Sequence, residues 1–175
     1  MSATRTCLWF PPETAAAAVD CYLELVPGTR LLGHRRYDGD QPDMGADIWL
    51  LEIGGTPYQV MGAKYAGSFT TAASIVLEVA DQAELDRVWD GFLARGGTEQ
   101  QCSWIVDPFG LSWQILPTVF FEAFDGADAA RAQRVVEAIW TMTRVDVAAV
   151  LALAGQGAAG QHATGQDAAA QHGTG

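Results

Sequence analysis

The sequence predicts an α+β fold in which two tandem βαβββ modules form a curved eight-stranded mixed sheet around a cleft, with C-terminal helices after the second module. The first observation behind this prediction is an internal repeat, because Trp49–Met61 matches Trp104–Leu116 without a gap at an offset of 55 residues. In both stretches a tryptophan, an acidic residue, a glycine, a large aromatic residue, a glutamine and two aliphatic residues coincide. Each stretch has the pattern of a strand, a glycine turn and a second strand, which predicts a β-hairpin.

The second observation is a weaker repeat upstream of each hairpin. Pro11–Gly28 and Ala80–Gly97 are both 18 residues long, and each contains a helical pattern that follows a β-type segment and ends at a glycine. A glycine just beyond the last helical residue is a common C-cap. The two stretches are offset by 69 residues, so the first module needs a longer connection before its hairpin, and Gly39–Ala46 is the predicted place for it.

These patterns place the elements in order along the chain. The predicted strands are Thr4–Phe10, Thr29–Tyr37, Asp47–Ile53, Pro57–Gly62, Ala73–Val79, Thr98–Gln101, Ser103–Val106 and Leu111–Leu116. The predicted helices are Pro12–Leu25, Gln82–Arg95, Ala127–Thr143 and a short last helix that ends at Ala154. Asp81, with Glu84 three residues later, predicts a capping box for the second helix, and Asp146 predicts the N-cap of the last one.

Residues 1–154 are predicted to be one domain, with modules at about 4–62 and 73–117 and a helical extension at 118–154. Residues 155–175 contain no apolar side chain larger than alanine, which predicts a disordered tail rich in Gly, Ala and Gln. The segment from Gly155 to Gly160 matches the dinucleotide motif G-x-G-x-x-G. Because it follows a helix and not a buried strand, we interpret the match as accidental.

The composition excludes several classes of partner. The 175-residue chain carries 10 Lys and Arg against 21 Asp and Glu, and its net charge of −11 argues against nucleic acid and anionic membranes. No apolar run reaches the roughly 20 residues of a membrane span. The N-terminus lacks the apolar segment of a signal peptide, and the three cysteines have no CxxC spacing. We therefore expect a cytoplasmic protein with reduced thiols.

Two tandem βαβββ modules resemble the vicinal oxygen chelate superfamily of glyoxalases, bleomycin-resistance proteins and dioxygenases. The finer resemblance is to its PhnB-like branch, often labelled 3-demethylubiquinone-9 3-methyltransferase. It rests on Leu8-Trp9-Phe10, on Gln100–Trp104 with Asp107–Thr118, and on Arg131–Val135. The resemblance implies a small-molecule site in the cleft. The residues give the methyltransferase label no support, because the sequence shows no strand, glycine loop and helix that would hold S-adenosylmethionine.

The resemblance also implies four positions at which the metal enzymes of the superfamily keep His or Glu, one on the first and one on the last strand of each module. In this chain the last-strand positions correspond to Gln59 and Gln114 and the fifth-strand position to Ser74, while the first-strand position falls within Arg5–Cys7. Amides and hydroxyls are poor ligands for zinc or nickel compared with imidazoles and carboxylates. We therefore expect no metal and no cofactor.

Glutamine at matching positions of two predicted strands leaves two interpretations open. The two amides hydrogen-bond to each other across the pseudo-twofold axis, or they orient the polar group of a ligand in an apolar pocket. On the second interpretation, the predicted ligand-binding residues are Gln59, Gln114, Ser74, Met61, Ser112 and Leu116. Tyr58 and Trp113 belong to the opposite strand face because side chains alternate along a strand.

Other polar residues have simpler interpretations. His34 lies beside two arginines in a predicted strand and is expected at the surface. Asp107 precedes a proline in a predicted turn, where its carboxylate is expected to cap backbone amides. The strand carboxylates Asp47, Glu52 and Glu78 are expected to be solvated. With one histidine in the body of the chain, no Ser-His-Asp or Cys-His arrangement is predicted.

The sequence therefore predicts a metal-independent small-molecule-binding protein that sequesters its ligand, as resistance proteins do. The net charge of −11 favours a cationic ligand. We expect a homodimer, because members of the superfamily commonly pair, and a helix face with Val135, Ile139 and Trp140 suits such a contact or covers the sheet. The alternative is a metal-dependent lyase, isomerase or dioxygenase of the same superfamily.

Overall fold

The computed structural model describes residues 4–41, 43–126 and 128–155, in which the chain forms two βαβββ modules followed by helices. The first module consists of β1 (Thr6–Phe10), α1 (Pro12–Leu25), β2 (Arg30–Tyr37), β3 (Ala46–Ile53) and β4 (Thr56–Ala63). The second consists of β5 (Ser74–Val79), α2 (Gln82–Ala94), β6 (Thr98–Glu99), β7 (Trp104–Val106) and β8 (Ser112–Pro117). The C-terminal helices are α3 (Thr118–Asp125), α4 (Ala129–Trp140) and α5 (Val147–Gly155). The predicted α+β class is confirmed.

The eight strands form two four-stranded mixed sheets, in the orders β1-β4-β3-β2 and β5-β8-β7-β6. In each sheet the first strand of the module pairs in parallel with the last one, and the other neighbours are antiparallel. The sheet predicted as one eight-stranded structure is thus two separate ladders. The modules join through side chains instead, as where the ring of Phe10 lies edge-on to that of Phe109 at a centroid distance of 6.4 Å.

One detail of the internal repeat differs in three dimensions. Leu50 lies opposite Gln59 in the first hairpin, whereas Trp104 lies opposite Gln114 in the second. The pairing register is therefore shifted by one residue relative to the gap-free sequence match. The shift accompanies a longer turn, since two glycines join the strands of the first hairpin and a five-residue loop joins those of the second. Trp49 and Trp104 consequently lie on opposite faces of their sheets.

Asp107 organises the longer loop and ties the two modules together. Its Oδ1 accepts hydrogen bonds from the backbone N–H groups of Phe109 at 2.9 Å and Leu111 at 3.0 Å, which confirms the predicted cap. Its Oδ2 accepts hydrogen bonds from the Tyr22 hydroxyl of α1 at 2.6 Å and from Trp113 Nε1 at 3.0 Å. Burial raises the pKa of Asp107, while the four hydrogen bonds oppose that shift. Because Tyr22 belongs to the first module, one buried carboxylate links both.

Both predicted helix caps are confirmed. Asp81 Oδ1 accepts a hydrogen bond from the backbone N–H of Glu84 at 2.9 Å, and Glu84 Oε2 accepts one from the N–H of Ala80 at 2.9 Å. Asp146 Oδ1 accepts a hydrogen bond from the N–H of Ala149 at 2.9 Å in the first turn of α5. These bonds satisfy backbone donors that have no partner within a helix.

The C-terminal extension contains one helix that the sequence analysis did not predict. The three phenylalanines of α3 are typical of strands, which obscured its helical pattern. Val119 and Ala123 are its buried residues, and their spacing of four places them on one helical face. Helix formation here therefore follows from the face that packs against the rest of the chain.

The next helix, α4, is shorter than the predicted Ala127–Thr143, and Ala127 lies outside the described residues, as do residues 156–175 of the predicted tail. Val135 and Ile139 of α4 are buried within the chain, while Trp140 is 65% exposed. The apolar face of this helix thus mainly covers its own chain. None of the helices in the described residues is long and apolar enough to cross a membrane.

Candidate functional site

Gln59 lies on the face of the first sheet that α1 does not cover. It is the residue of β4 that stands between Cys7 on β1 and Leu50 on β3 in the pairing register. Its Nε2 donates a hydrogen bond to the Cys7 sulfur at 3.6 Å, and its side chain is half-buried. Met61, two residues later on β4, points to the same face and is also half-buried. This face therefore presents a polar amide beside apolar side chains.

Gln114 has the corresponding position on β8 of the second sheet. It stands between Val76 on β5 and Trp104 on β7, and its Nε2 donates a hydrogen bond to Ser74 Oγ at 2.8 Å. Gln114 and Ser74 are both half-buried. The two other predicted ligand-binding residues of this sheet are closed to solvent, since Ser112 is 2% and Leu116 4% exposed.

The side-chain amides of the two glutamines form separate hydrogen bonds. Among the described residues no hydrogen bond joins Gln59 to Gln114, so the mutual pairing considered in one interpretation is not how the amides are held. Each NH₂ group is instead fixed by a residue on the first strand of its own module. Neither Oε1 atom accepts a hydrogen bond from another described residue. Each module therefore offers an oriented amide with an available acceptor oxygen.

A cavity of about 450 Å³ lies over β2 and β3 of the same sheet, beside the residues that pair with Gln59 and Met61. Leu50, which lies opposite Gln59, and Ile48, which lies opposite Met61, form its wall on β3. On β2, the outer strand of this sheet, four consecutive residues line it, so the cavity extends to the edge of that strand: Leu32, Gly33, His34 and Arg35. None of these residues was among the predicted ligand-binding residues, although the hairpin pattern that brings Leu50 close to Gln59 is visible in the sequence. The cavity has the size of a small-molecule site, and Leu32, Ile48 and Leu50 give it an aliphatic part.

The residues at the four positions implied for a metal do not fit a divalent ion. Arg5 and Ser74 occupy equivalent places, each two residues before the residue that pairs with a glutamine. By this register the positions hold Arg5, Gln59, Ser74 and Gln114, which supply a guanidinium, two amides and a hydroxyl, and Cys7, whose sulfur contacts Gln59, adds one thiol. Zinc and nickel prefer several carboxylate, imidazole or thiolate donors, whereas this group has one thiol, and the positive charge of the Arg5 guanidinium repels metal cations. Within the described ranges no group of three or more His, Cys, Asp and Glu residues is arranged to hold a metal ion.

The other singled-out polar residues are at the surface. His34 is exposed, as predicted, and its Nε2 lies 3.0 Å from Asp47 Oδ1. Glu52 forms an ion pair with Arg30. In the part of the chain that the structure describes, Glu78 has neither an ion pair nor a side-chain hydrogen bond, whereas Asp47 and Glu52 have both.

A family model and several solved structures match this chain. A family model described as 3-demethylubiquinone-9 3-methyltransferase matches residues 2–116. No curated protein sequence matches the chain. The solved PhnB protein of Bacillus cereus, described by the same methyltransferase name, has a TM-score of 0.58 at 22% identity, with 67% of this chain and 100% of that chain covered.

Two further solved structures have the same fold. A Pseudomonas aeruginosa protein has a TM-score of 0.53 at 20% identity and covers 67% of this chain and 98% of its own. The fosfomycin resistance protein FosX of Listeria monocytogenes has a TM-score of 0.50 at 13% identity and covers 69% of this chain and 94% of its own. At these identities the likeness shows the fold alone.

The methyltransferase description implies S-adenosylmethionine, and the strand-to-helix junctions do not fit it. A nucleotide cofactor of this kind needs a glycine loop through which the backbone approaches the ligand at a helix N-terminus. Pro11 alone separates β1 from α1, Ala80 and Asp81 separate β5 from α2, and β8 continues directly into α3. These three junctions of the described chain contain no glycine.

Proposed function

We propose that this chain, which belongs to the 3-demethylubiquinone-9 3-methyltransferase family of PhnB-like proteins, binds a small molecule without a metal ion. In this proposal the protein sequesters its ligand. The observation that carries the proposal is the matched pair Gln59 and Gln114. Each amide nitrogen is held by its own module, and each amide oxygen is an available acceptor. The two amides can bind and orient a ligand, but they offer neither a strong metal ligand nor an acid–base pair for catalysis.

The ligand that suits this site has a cationic amino group and an apolar body. Amide oxygens accept hydrogen bonds from N–H donors, and the net charge of −11 attracts cations to the protein. The apolar body suits the cavity lined by Ile48 and Leu50. Since Arg35 lines the β2 side of that cavity, we place the amino group at the side of Gln59.

Replacing both Gln59 and Gln114 by leucine is expected to abolish ligand binding while the protein stays folded, because the change removes the acceptors and keeps apolar volume. The probes are a panel of hydrophobic organic amines, screened by thermal shift and then titrated by calorimetry. Gln133→Leu is the matched control, since Gln133 is exposed on α4 and bonds to Glu137. Binding that persists undiminished in the double variant contradicts the proposal.

The absence of a bound metal is a separate expected result. Protein purified without a histidine tag and analysed by mass spectrometry for metals is expected to contain substoichiometric zinc, nickel and iron, because Arg5, Gln59, Ser74 and Gln114 make a weak donor set. Adding these ions is expected to leave ligand affinity unchanged. A stoichiometric ion that survives dialysis would favour the metal-dependent enzyme instead.

The homodimer remains part of the proposal. Val135 and Ile139 of α4 are buried within the chain and are not available for a contact with a second copy. The support for the dimer is therefore Trp140 at the end of α4, which is exposed. A large exposed aromatic side chain is typical of a protein–protein contact.

A further inference from the structure

A second cavity, of about 420 Å³, lies between the two modules and has no part in the function proposed above. The β3–β4 hairpin contributes Ile53 and Tyr58 to one wall. The opposite wall consists of residues from β5 and the first turn of α2. The volume falls within the roughly 300–1,000 Å³ of small-molecule sites. Neither glutamine lines this cavity: Tyr58 and Gln59 point to opposite faces of β4, and Val76 lines the other wall beside Gln114 while the Gln114 amide stays outside the lining.

One wall of this cavity is the edge of a strand. Four consecutive residues of β5, Ile75–Glu78, line it. Side chains alternate between the two faces of a sheet, so a cavity that touches consecutive residues faces the edge of the strand. β5 is the outer strand of its sheet, and no strand of the described chain pairs with its other side. The backbone carbonyl oxygens of that edge are therefore available acceptors.

The charged groups at this cavity are acidic. Glu78 and Glu84 line it, and neither lysine nor arginine does. Glu84 is fixed at the start of α2, where it accepts the N–H of Ala80, while the Glu78 carboxylate has no partner among the described residues. Burial raises the pKa of Tyr58, so its hydroxyl is neutral at physiological pH. The local potential thus favours a positively charged group.

We propose that this cavity binds a small organic amine. The ammonium group donates hydrogen bonds to the Glu78 carboxylate and to carbonyl oxygens of the β5 edge, and the apolar part of the ligand lies against Ile53 and Ile75. Ammonium groups have three donors, and the cavity offers acceptors of two kinds. A ligand in this position contacts both modules.

The test uses 2-phenylethylamine, with 2-phenylethanol as a neutral analogue of similar shape, in titrations followed by two-dimensional amide NMR. We expect saturable shifts at the amides of Gly54, Tyr58 and Leu77 with the amine and no saturation with the alcohol. Glu78→Gln is expected to weaken amine binding by about tenfold, the loss of one charge-assisted hydrogen bond. Glu52→Gln is the matched control, since its carboxylate pairs with Arg30 outside the cavity.

Equal responses to the amine and the alcohol, or unchanged amine binding in Glu78→Gln, would overturn the inference. The variant with leucine at positions 59 and 114 separates it from the proposed function. Amine shifts that stay at Gly54 and Leu77 in that variant support the cavity between the modules. Amine shifts that occur at Leu50 and Met61 in place of Gly54 and Leu77, and that are lost in the variant with leucine at both positions, overturn this second site and leave the glutamine site intact.

Discussion

Replacing Asp107 by alanine is expected to lower the free energy of unfolding by about 3–5 kcal/mol, because it leaves several buried donors without an acceptor. The carboxylate, which is 3% exposed, accepts the Tyr22 hydroxyl and the Trp113 indole N–H as well as two backbone N–H groups. Alanine cannot replace any of these bonds, and water has little access. Chemical denaturation followed by tryptophan fluorescence measures the effect.

Asp81→Ala is the matched control for this prediction. Asp81 also accepts a backbone N–H group, but it is an exposed helix cap whose loss costs about 1 kcal/mol. Tyr22→Phe completes a double-mutant cycle. Tyr22→Phe should lower the free energy of unfolding by about 1.5–3 kcal/mol in the wild-type chain. It should lower it much less in the Asp107→Ala background, because the hydrogen bond that it removes is already lost there. If Asp107→Ala costs no more than Asp81→Ala, the carboxylate does not hold the modules together.

Local sequence patterns predict the helices and strands and their order along the chain. Strand alternation and hairpin signals gave the two modules, and the Asp81 and Asp146 caps follow from residues three positions away. The cap at Asp107 was predictable for the same reason, since its backbone partners lie two and four residues further on. The bond from Tyr22 was not, because 85 residues separate donor and acceptor.

The candidate site was predictable in its polar residues and not in its shape. The repeat identified Gln59 and Gln114, but their actual partners, Cys7 and Ser74, depend on how the first and last strands of each module pair. The cavity near Gln59 is lined by β2 and β3 and depends on how these two strands pair, which local periodicity does not encode. The one-residue shift that reorients Trp104 arises from loop length, for which a gap-free sequence match contains no signal.

The other large effect that we expect concerns Gly62, where α1 lies close against β4. A Cβ atom at position 62 would stand 2.6 Å from the Cβ of Ala15, well inside van der Waals contact, and both residues are buried. Gly62→Ala is therefore expected to lower the free energy of unfolding by about 2–3 kcal/mol, since a packed helix and sheet must move apart to accept one methyl group. The same denaturation measurement tests it.

Gly33→Ala on β2 makes the same chemical change in open space, because a Cβ atom there meets nothing within 4 Å. It should change the free energy of unfolding by no more than about 0.5 kcal/mol. Ala15→Gly should cost about 1–2 kcal/mol alone, through helix propensity and the loss of one buried methyl group. It should nevertheless relieve Gly62→Ala when the two are combined, because it removes the atom that clashes. Strictly additive costs, or a Gly62→Ala cost equal to that of Gly33→Ala, would show that α1 does not approach β4 this closely.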